Sequence, residues 1–314
     1  MGIADSDKKV GRLVEVARMY YEQDRTQGEI AAHYGISRPM VSKLLKEARD
    51  TGIVTIRIQA PQIRETRQIS LMEQVGRKFG IYGGMVIPDG SGDHATNAAV
   101  AEAAISFLEG LGEDNLGIGW GHIIGDVVKC MEQKERLVPV CTSVCPLIGN
   151  GGVGLKNYHS NELVRAIAEH SGARPDFIYS PASVLSEQEL RLMKSLDNYR
   201  EVCRSWERLD VALVNIGNFP STPDFASEAR YGDRLSRQKA VGRILNYYID
   251  VEGQVIRSDT DYAIQIPLEL LAKTRYAVGI CSANTSPKAF RAALKTGYLK
   301  HFIAPEHVVR EALE

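Results

Sequence analysis

Four local signals follow one another in fixed order between Thr26 and Pro39. Thr26 and Glu29 have the spacing of a reciprocal helix cap, in which the hydroxyl accepts from the backbone of residue 29 and the carboxylate reaches back. Gly35 supplies the left-handed residue that ends a short helix. Ser37 then stands at the next cap, with Pro39 in a first turn where its missing N–H costs nothing. Between them they allow little except two short helices joined by a tight turn. Upstream, Val10, Leu13, Val14, Ala17 and Tyr20 or Tyr21 recur at helical spacing and predict an amphipathic helix over 9–22. Downstream, a third helix over 37–49 turns Met40, Val41, Leu44, Leu45 and Ala48 toward a core and presents Ser37, Arg38, Ser42, Lys43 and Lys46 on its other side.

This order is that of a helix-turn-helix, whose second helix enters the major groove so that its first turns meet base edges and phosphates. The candidate DNA contacts are Thr26, Gln27, Ser37, Arg38, Pro39, Ser42, Lys43 and Lys46. After Gly52 the alternating run IVTIRI (53–58) fits the strand of a wing, with Arg57 facing solvent or a phosphate. The competing reading is a helical bundle with solvated charges, which does not require the caps and the turn to stand in this order.

The charge is uneven along the chain. The whole carries 38 Lys and Arg against 39 Asp and Glu, which excludes a uniformly basic binder. Residues 1–64 carry 11 basic against 8 acidic side chains and the remainder 27 against 31, so a head of net +3 precedes a body of net -4. No signal peptide or membrane span is expected, and a cytoplasmic location follows. Cys130, Cys141, Cys145, Cys203 and Cys281 are odd in number and scattered, which predicts buried thiols, with no metal site and no cofactor.

A further helix is expected over 62–79, with Leu71, Met72, Val75 and Phe79 on one side. It divides the chain into a DNA-binding domain (1–60), a linker or oligomerisation helix (61–80) and an effector domain (81–314). Packing of this helix on the body is an equal alternative.

In the body, short apolar runs (85–88, 116–120, 144–148, 176–179, 211–217, 276–280) alternate with helical segments (94–110, 121–132, 159–171, 186–207, 286–296). Such alternation predicts an α/β fold with a doubly wound, mostly parallel sheet, and directs attention to the loops that follow strands. Three of these are glycine-rich: LGIGWGH, LIGNGGVG, and GICSANTSPK leading to Lys288. Each could hold an anion on backbone amides or be only a tight turn.

The head EVARMYYEQDRTQGEIAAHYGISRPMVSKLLKEARDTGIVTIRI and the body motifs LGIGWG, PLIGNGG, NELVRAIAE, VALVNIG, AVGRILNYYIDVEGQVI and GYLKHFIAPEHVVREAL resemble the SorC/DeoR-type sugar-binding transcriptional regulators along nearly the whole chain. The resemblance implies a bacterial regulator, usually a repressor of a sugar catabolic operon. Its body would resemble the glucosamine-6-phosphate isomerase/deaminase fold and bind a phosphorylated sugar, and its partners would be operator DNA and further copies of itself in a homodimer or homotetramer. By that resemblance the effector would meet Gly117, Gly119, Gly121, His122, Gly149, Asn150, Gly151, Gly152, His159, Asn161, Glu162, Asp250, Ser282 and Lys288. Asp250 before Gly253 fits a turn equally well. Two positions depart from the family pattern. Where some deoxyribonucleoside regulators carry an imine-forming lysine, this chain has Ile148, with Lys156 in the next loop. The usual Gly-Asp is Gly242-Arg243, where the arginine could pair with a phosphate or with a neighbouring carboxylate, which suits an effector unlike the commonest ones. The rival reading is a sugar-phosphate isomerase or deaminase carrying a DNA-binding head. For it Asp89, Asp93, His94, His122 and His159 are the available acids and bases, although the loop 88–94 fits a simple solvated turn.

Overall fold

Leu13, Val16 and Ala17 lie buried along one face of α1 (Ile3–Tyr21), and they define the core on which the next two helices close. In front of α2 (Gln27–Tyr34), Thr26 Oγ1 accepts from Glu29 N at 3.3 Å while Glu29 Oε2 accepts from Thr26 N at 2.8 Å. Gly35, at φ 63°, ends the helix. Val41, Leu45 and Ala48 are the buried positions of α3 (Arg38–Asp50), spaced i, i+4 and i+7. They meet Val16, Ile30 and Ala31 in one cluster and Leu13 and Ala17 in another. Three expectations need correction. Val10, expected on the apolar stripe of α1, is exposed. Ser37 occupies the extended position before α3, but its hydroxyl makes no capping hydrogen bond. Met40 falls on the opposite side of α3 from the buried stripe and is 46% exposed.

The computed structural model describes residues 3–23, 25–54, 63–152, 154–221 and 227–314. Most of the expected wing, with Arg57, lies outside the described residues. The chain forms two units, Met1–Pro61 and Gln62–Glu314.

The second unit begins with α4 (Ile63–Phe79). Leu71 and Val75 enter its main core, Lys78 Nζ donates to the Leu313 carbonyl at 2.7 Å, and Arg67 pairs with Glu306 at 3.2 Å. The helix thus packs on the body, the equal alternative of the sequence reading. There follow β1 (Gly83–Ile87), α5 (Asp93–Leu111), β2 (Asn115–Ile118), α6 (His122–Glu132), β3 (Ser143–Pro146), α7 (Ser160–Ser171), β4 (Arg174–Pro175), α8 (Glu187–Ser195), α9 (Asp197–Glu207), β5 (Val211–Asn218), α10 (Ser227–Tyr231) and α11 (Arg234–Arg237). The chain closes with β6 (Ala240–Ile244), β7 (Tyr247–Asp250), α12 (Leu268–Lys273), β8 (Tyr276–Ile280), α13 (Pro287–Lys295), β9 (His301–Pro305) and α14 (Glu306–Leu313).

Seven strands run parallel in the order β1-β9-β8-β5-β2-β3-β4, as the alternation of strands and helices predicts. The mostly parallel sheet carries one antiparallel addition, the hairpin β6–β7, which pairs with the end of β5. The run 176–179 is not the expected strand. Asp176 N still donates to the Val144 carbonyl of β3 at 2.8 Å, but beyond it the backbone bonds to side-chain amides: Asn161 Oδ1 accepts from Ile178 N at 3.0 Å, Asn198 Nδ2 donates to the Phe177 carbonyl at 2.6 Å, and Asn198 Oδ1 accepts from Tyr179 N at 3.0 Å. The same asparagine explains why the helix expected over 186–207 is two. Leu196, extended at ψ 139°, breaks it, and Asn198 opens the second helix within reach of that loop.

Candidate nucleic-acid interface and effector cleft

On the first unit, Thr26, Ser37, Arg38, Pro39, Ser42, Lys43 and Lys46 are all exposed and Gln27 is half-buried. An open groove of about 870 Å³ gathers Thr26, Gln27, Arg38, Pro39 and Ser42 with Tyr20, Tyr21 and Arg25. Lys43 and Lys46 lie on α3 outside its lining. Arg38 folds back across the start of α2, where a methyl on Gly28 would approach its Nε and Nη2 to 3.2 Å. The glycine therefore gives the guanidinium its seat. Sequence reasoning assigned Tyr20 or Tyr21 to the apolar stripe and Met40 to the core. Arg25 stood in plain sight as a cation one residue before the cap.

In the second unit, the strand order reverses between β2 and β5, the place where open α/β sheets receive ligands. A cleft of about 460 Å³ opens beside these strand ends. Its lining is Asn97, His122, Ile123, Asp126, Tyr158, Asn215, Ile216, Gly217, Asn218, Pro220, Ser221, Arg243, Ser282, Asn284 and Thr285. Asn218 holds one wall in place, accepting from Ser286 N at 2.8 Å and donating to the Asn284 carbonyl at 2.9 Å. Thr285 Oγ1 accepts from Ser282 N at 2.9 Å, and Asn97 Oδ1 accepts from Ala283 N at 2.7 Å. Behind that wall His307 bonds the Ala283 carbonyl through Nε2 at 2.9 Å and Asp89 through Nδ1. The loop 88–94 is exposed throughout, as a solvated turn is, and Asp89 ties it to His307. Burial raises the Asp126 carboxyl above its ordinary value, against the pull of His122, Lys129 and His94. Burial likewise pushes the Tyr158 phenol up, so its O–H stays a donor.

Of the residues expected to meet the effector, His122 and Ser282 line this cleft, and Gly121 backs it, since a methyl there would press on Asn215 at 2.8 Å. The others are absent from its lining, for identifiable reasons. Gly117 and Gly119 lie within the core, where a side chain would collide with Leu147 at the first and Leu245 at the second. The amides of Gly149, Asn150 and Gly151 are already donating to Ile264, Ser180 and Tyr158, so they offer nothing to an anion, and Gly152 is exposed. Asn150 and Asn161 both donate to the Ile178 carbonyl. His159 precedes α7, and Glu162 pairs with Arg165 at 2.8 Å on the surface. Asp250 Oδ1 accepts from Glu252 N and Gln254 N, both at 2.9 Å, as a turn aspartate does. Lys288 is exposed on α13.

Lysine is missing from the described lining as well. Lys156 is exposed and paired with Glu132 at 3.3 Å, and Ile148 is buried, so neither supplies an imine-forming amine here. Among the described residues no cluster of three His, Cys, Asp or Glu converges on a point, and no helix is long and apolar enough to cross a membrane. Cys141, Cys145 and Cys281 are buried, and desolvation pushes the Cys141 thiol up to about 12. The cleft-lining side chains that sequence reasoning did not single out are Asn97, Asp126, Tyr158, Asn215 and Asn218, whereas Asn284 and Thr285 belong to the third loop it offered for an anion. Asp126 carries a usable signal, since it interrupts an otherwise apolar stretch of its helix.

The sugar-binding-domain family model matches residues 64–314, and the Sigma-70 region 4 model matches residues 12–51. The sorbitol operon regulator of Klebsiella pneumoniae is 30% identical over 300 residues, 91% of this chain and 92% of that protein. The deoxyribonucleoside regulator of Bacillus subtilis strain 168 is 25% identical over 95% of both chains. The transcriptional regulator LsrR of Escherichia coli K12 is 26% identical over 94% of this chain and 92% of that one. Among solved structures, full-length SorC from Klebsiella pneumoniae superposes with a TM-score of 0.79 at 27% identity, covering 97% of this chain and 99% of that chain.

Proposed function

The chain belongs to the SorC family of helix-turn-helix regulators with a sugar-binding domain, and from that premise we propose that it is a repressor of a sugar catabolic operon, released from DNA by a phosphorylated sugar. It is a DNA-binding transcriptional regulator of a sugar operon and not an enzyme, as its relatives are.

The observation that carries the finer reading is the makeup of the cleft. A volume of about 460 Å³ suits a small polar molecule, and its wall offers amides, hydroxyls, one guanidinium and one carboxyl. Amides and hydroxyls serve sugar hydroxyls, and a guanidinium serves a phosphate. Release from DNA follows if the ligand binds the DNA-incompetent arrangement better than the competent one. α4 is the natural carrier of that preference. It is the first element of the second unit, and its Arg67 and Lys78 grip α14, whose His307 braces the cleft loop at Ala283. A homodimer or homotetramer would present two or more heads to a repeated site and multiply the phosphate contacts of a head that is only modestly basic.

Two measurements test this. A fluorescence-anisotropy titration of the protein on the DNA preceding its own gene should show saturable, salt-sensitive binding. A thermal-shift screen should find a sugar phosphate that raises the melting temperature in proportion to its concentration and also lowers the anisotropy. Tighter DNA binding with that ligand would overturn release by the effector.

A further inference from the structure

Among the described residues that line the cleft, Arg243 is the one guanidinium, and the backbone is shaped to hold it there. It stands on β6 opposite Gly217 of β5 in antiparallel register, and it is 4% exposed. A methyl at 217 would come within 3.0 Å of Arg243 Nε and 3.1 Å of its Cγ. The missing side chain of Gly217 is therefore the bed on which the arginine crosses β5. Two residues further on, the hairpin turns through Leu245 at φ 53°, a conformation that a branched side chain adopts only when its surroundings impose it. Leu245 is buried and packs against Gly119, and Asn246 N donates to Gln265 Oε1 at 2.9 Å. Both turn residues are thus fastened, which fixes the register that aims Arg243.

The cleft is also polarised. The charges that act on Asp126 are those of His122, Lys129 and His94, whereas the guanidinium acts on Tyr158. Cation and carboxylate stand on different elements of the wall, Arg243 on β6 and Asp126 on α6.

We infer that Arg243 receives the phosphate of the effector and that Asp126, with Asn97 and His122, receives the hydroxyls at the other end. This orientation rests on the sugar-phosphate reading of the cleft. A planar fork of N–H donors matches two phosphate oxygens. A carboxylate repels a phosphate dianion but accepts hydrogen bonds from neutral hydroxyls, so the reverse orientation is opposed at both ends.

The test is calorimetric titration of a panel of hexose and pentose phosphates, each with its parent sugar, into the full chain and its variants. For an ester that binds the wild type, Arg243→Gln should lose on the order of 10-fold or more in affinity, as expected for a deleted hydrogen bond to a charged group. Its affinity for the parent sugar should stay unchanged. Arg243→Lys, which keeps the charge and loses the fork, should fall between, and it carries the test if the glutamine variant does not fold. Asp126→Asn should weaken sugar and ester by the same factor. Wild-type affinity of Arg243→Gln for that ester would overturn the orientation and leave the sugar-phosphate reading standing. If no ester in the panel binds the wild type, both fall.

Discussion

At the scale of the residue, this chain separates side chains that hold the fold from side chains free to meet a ligand. Asp250 spends one carboxylate oxygen on two turn amides, so Asp250→Ala should cost about 1 kcal/mol of stability and leave effector affinity alone. Lys288, outside the cleft, should be silent in the same titration. A loss of effector affinity in Lys288→Ala, with melting temperature unchanged, would return the phosphate site to α13. On the first unit, Arg38 and Lys43 are exposed on the face of α3 that no core claims. Arg38→Ala and Lys43→Ala should each weaken operator binding and lower its dependence on salt by about one phosphate contact, with effector affinity unchanged. Equal salt slopes for both variants and the parent would remove α3 from the interface. The exposed face of α3 was readable in the sequence because helical periodicity is local. The cleft was not, because Asn218 and Asn97 act on loops 68 and 186 residues away. Glycine after a strand was a misleading guide. Gly117 and Gly119 are small because Leu147 and Leu245 need the room.

At the scale of the element, the joint between α14, the loop after β1 and the cleft wall is the most condition-sensitive feature. Burial opposes a charged His307, but its hydrogen bonds to Asp89 and the Ala283 carbonyl, with the nearby carboxylates of Asp89 and Glu311, outweigh that and raise its pKa above the ordinary histidine value. A raised folded-state pKa adds stability that is fully present below about pH 6.5 and is lost as pH rises through the folded value. The melting temperature of the wild type should therefore exceed that of His307→Gln by more at pH 6 than at pH 8. A difference that grows toward pH 8 would contradict the charged pair. Elements also divide by how much of their pattern is local. The alternation that announces β2, β5 and β8 is written in each strand, and so is the helix at 63–79. The break at Leu196 and the irregular path of 176–179 are settled by Asn198 and Asn161 reaching across to another segment. No window of residues read by itself contains that contact.

At the scale of the whole molecule, the two charge balances belong to the two ends of one linkage. A head with three more cations than anions gains little from DNA per copy, and a body with four more anions than cations gives no general attraction for it. Modest affinity is what a releasable regulator needs, because a coupling of about 1–3 kcal/mol changes operator binding by about 5- to 150-fold, enough to empty a site that is only moderately tight. The same coupling must act in the other direction. If the effector lowers operator affinity by a given factor, saturating operator must lower effector affinity by that factor, since both describe one difference between two states of the chain. Calorimetric titration of the effector into the free protein and into its operator complex should return the factor obtained from anisotropy with and without effector. A smaller factor in calorimetry would mean that DNA release includes a further step, such as a change in the number of associated copies, and that step would show itself as a dependence of both factors on protein concentration. Glu306→Gln, which removes the partner of Arg67 and leaves the cleft and α3 untouched, should reduce both factors together while each ligand alone binds as before. Retention of the full coupling in that variant would move the route of communication away from α4 and α14.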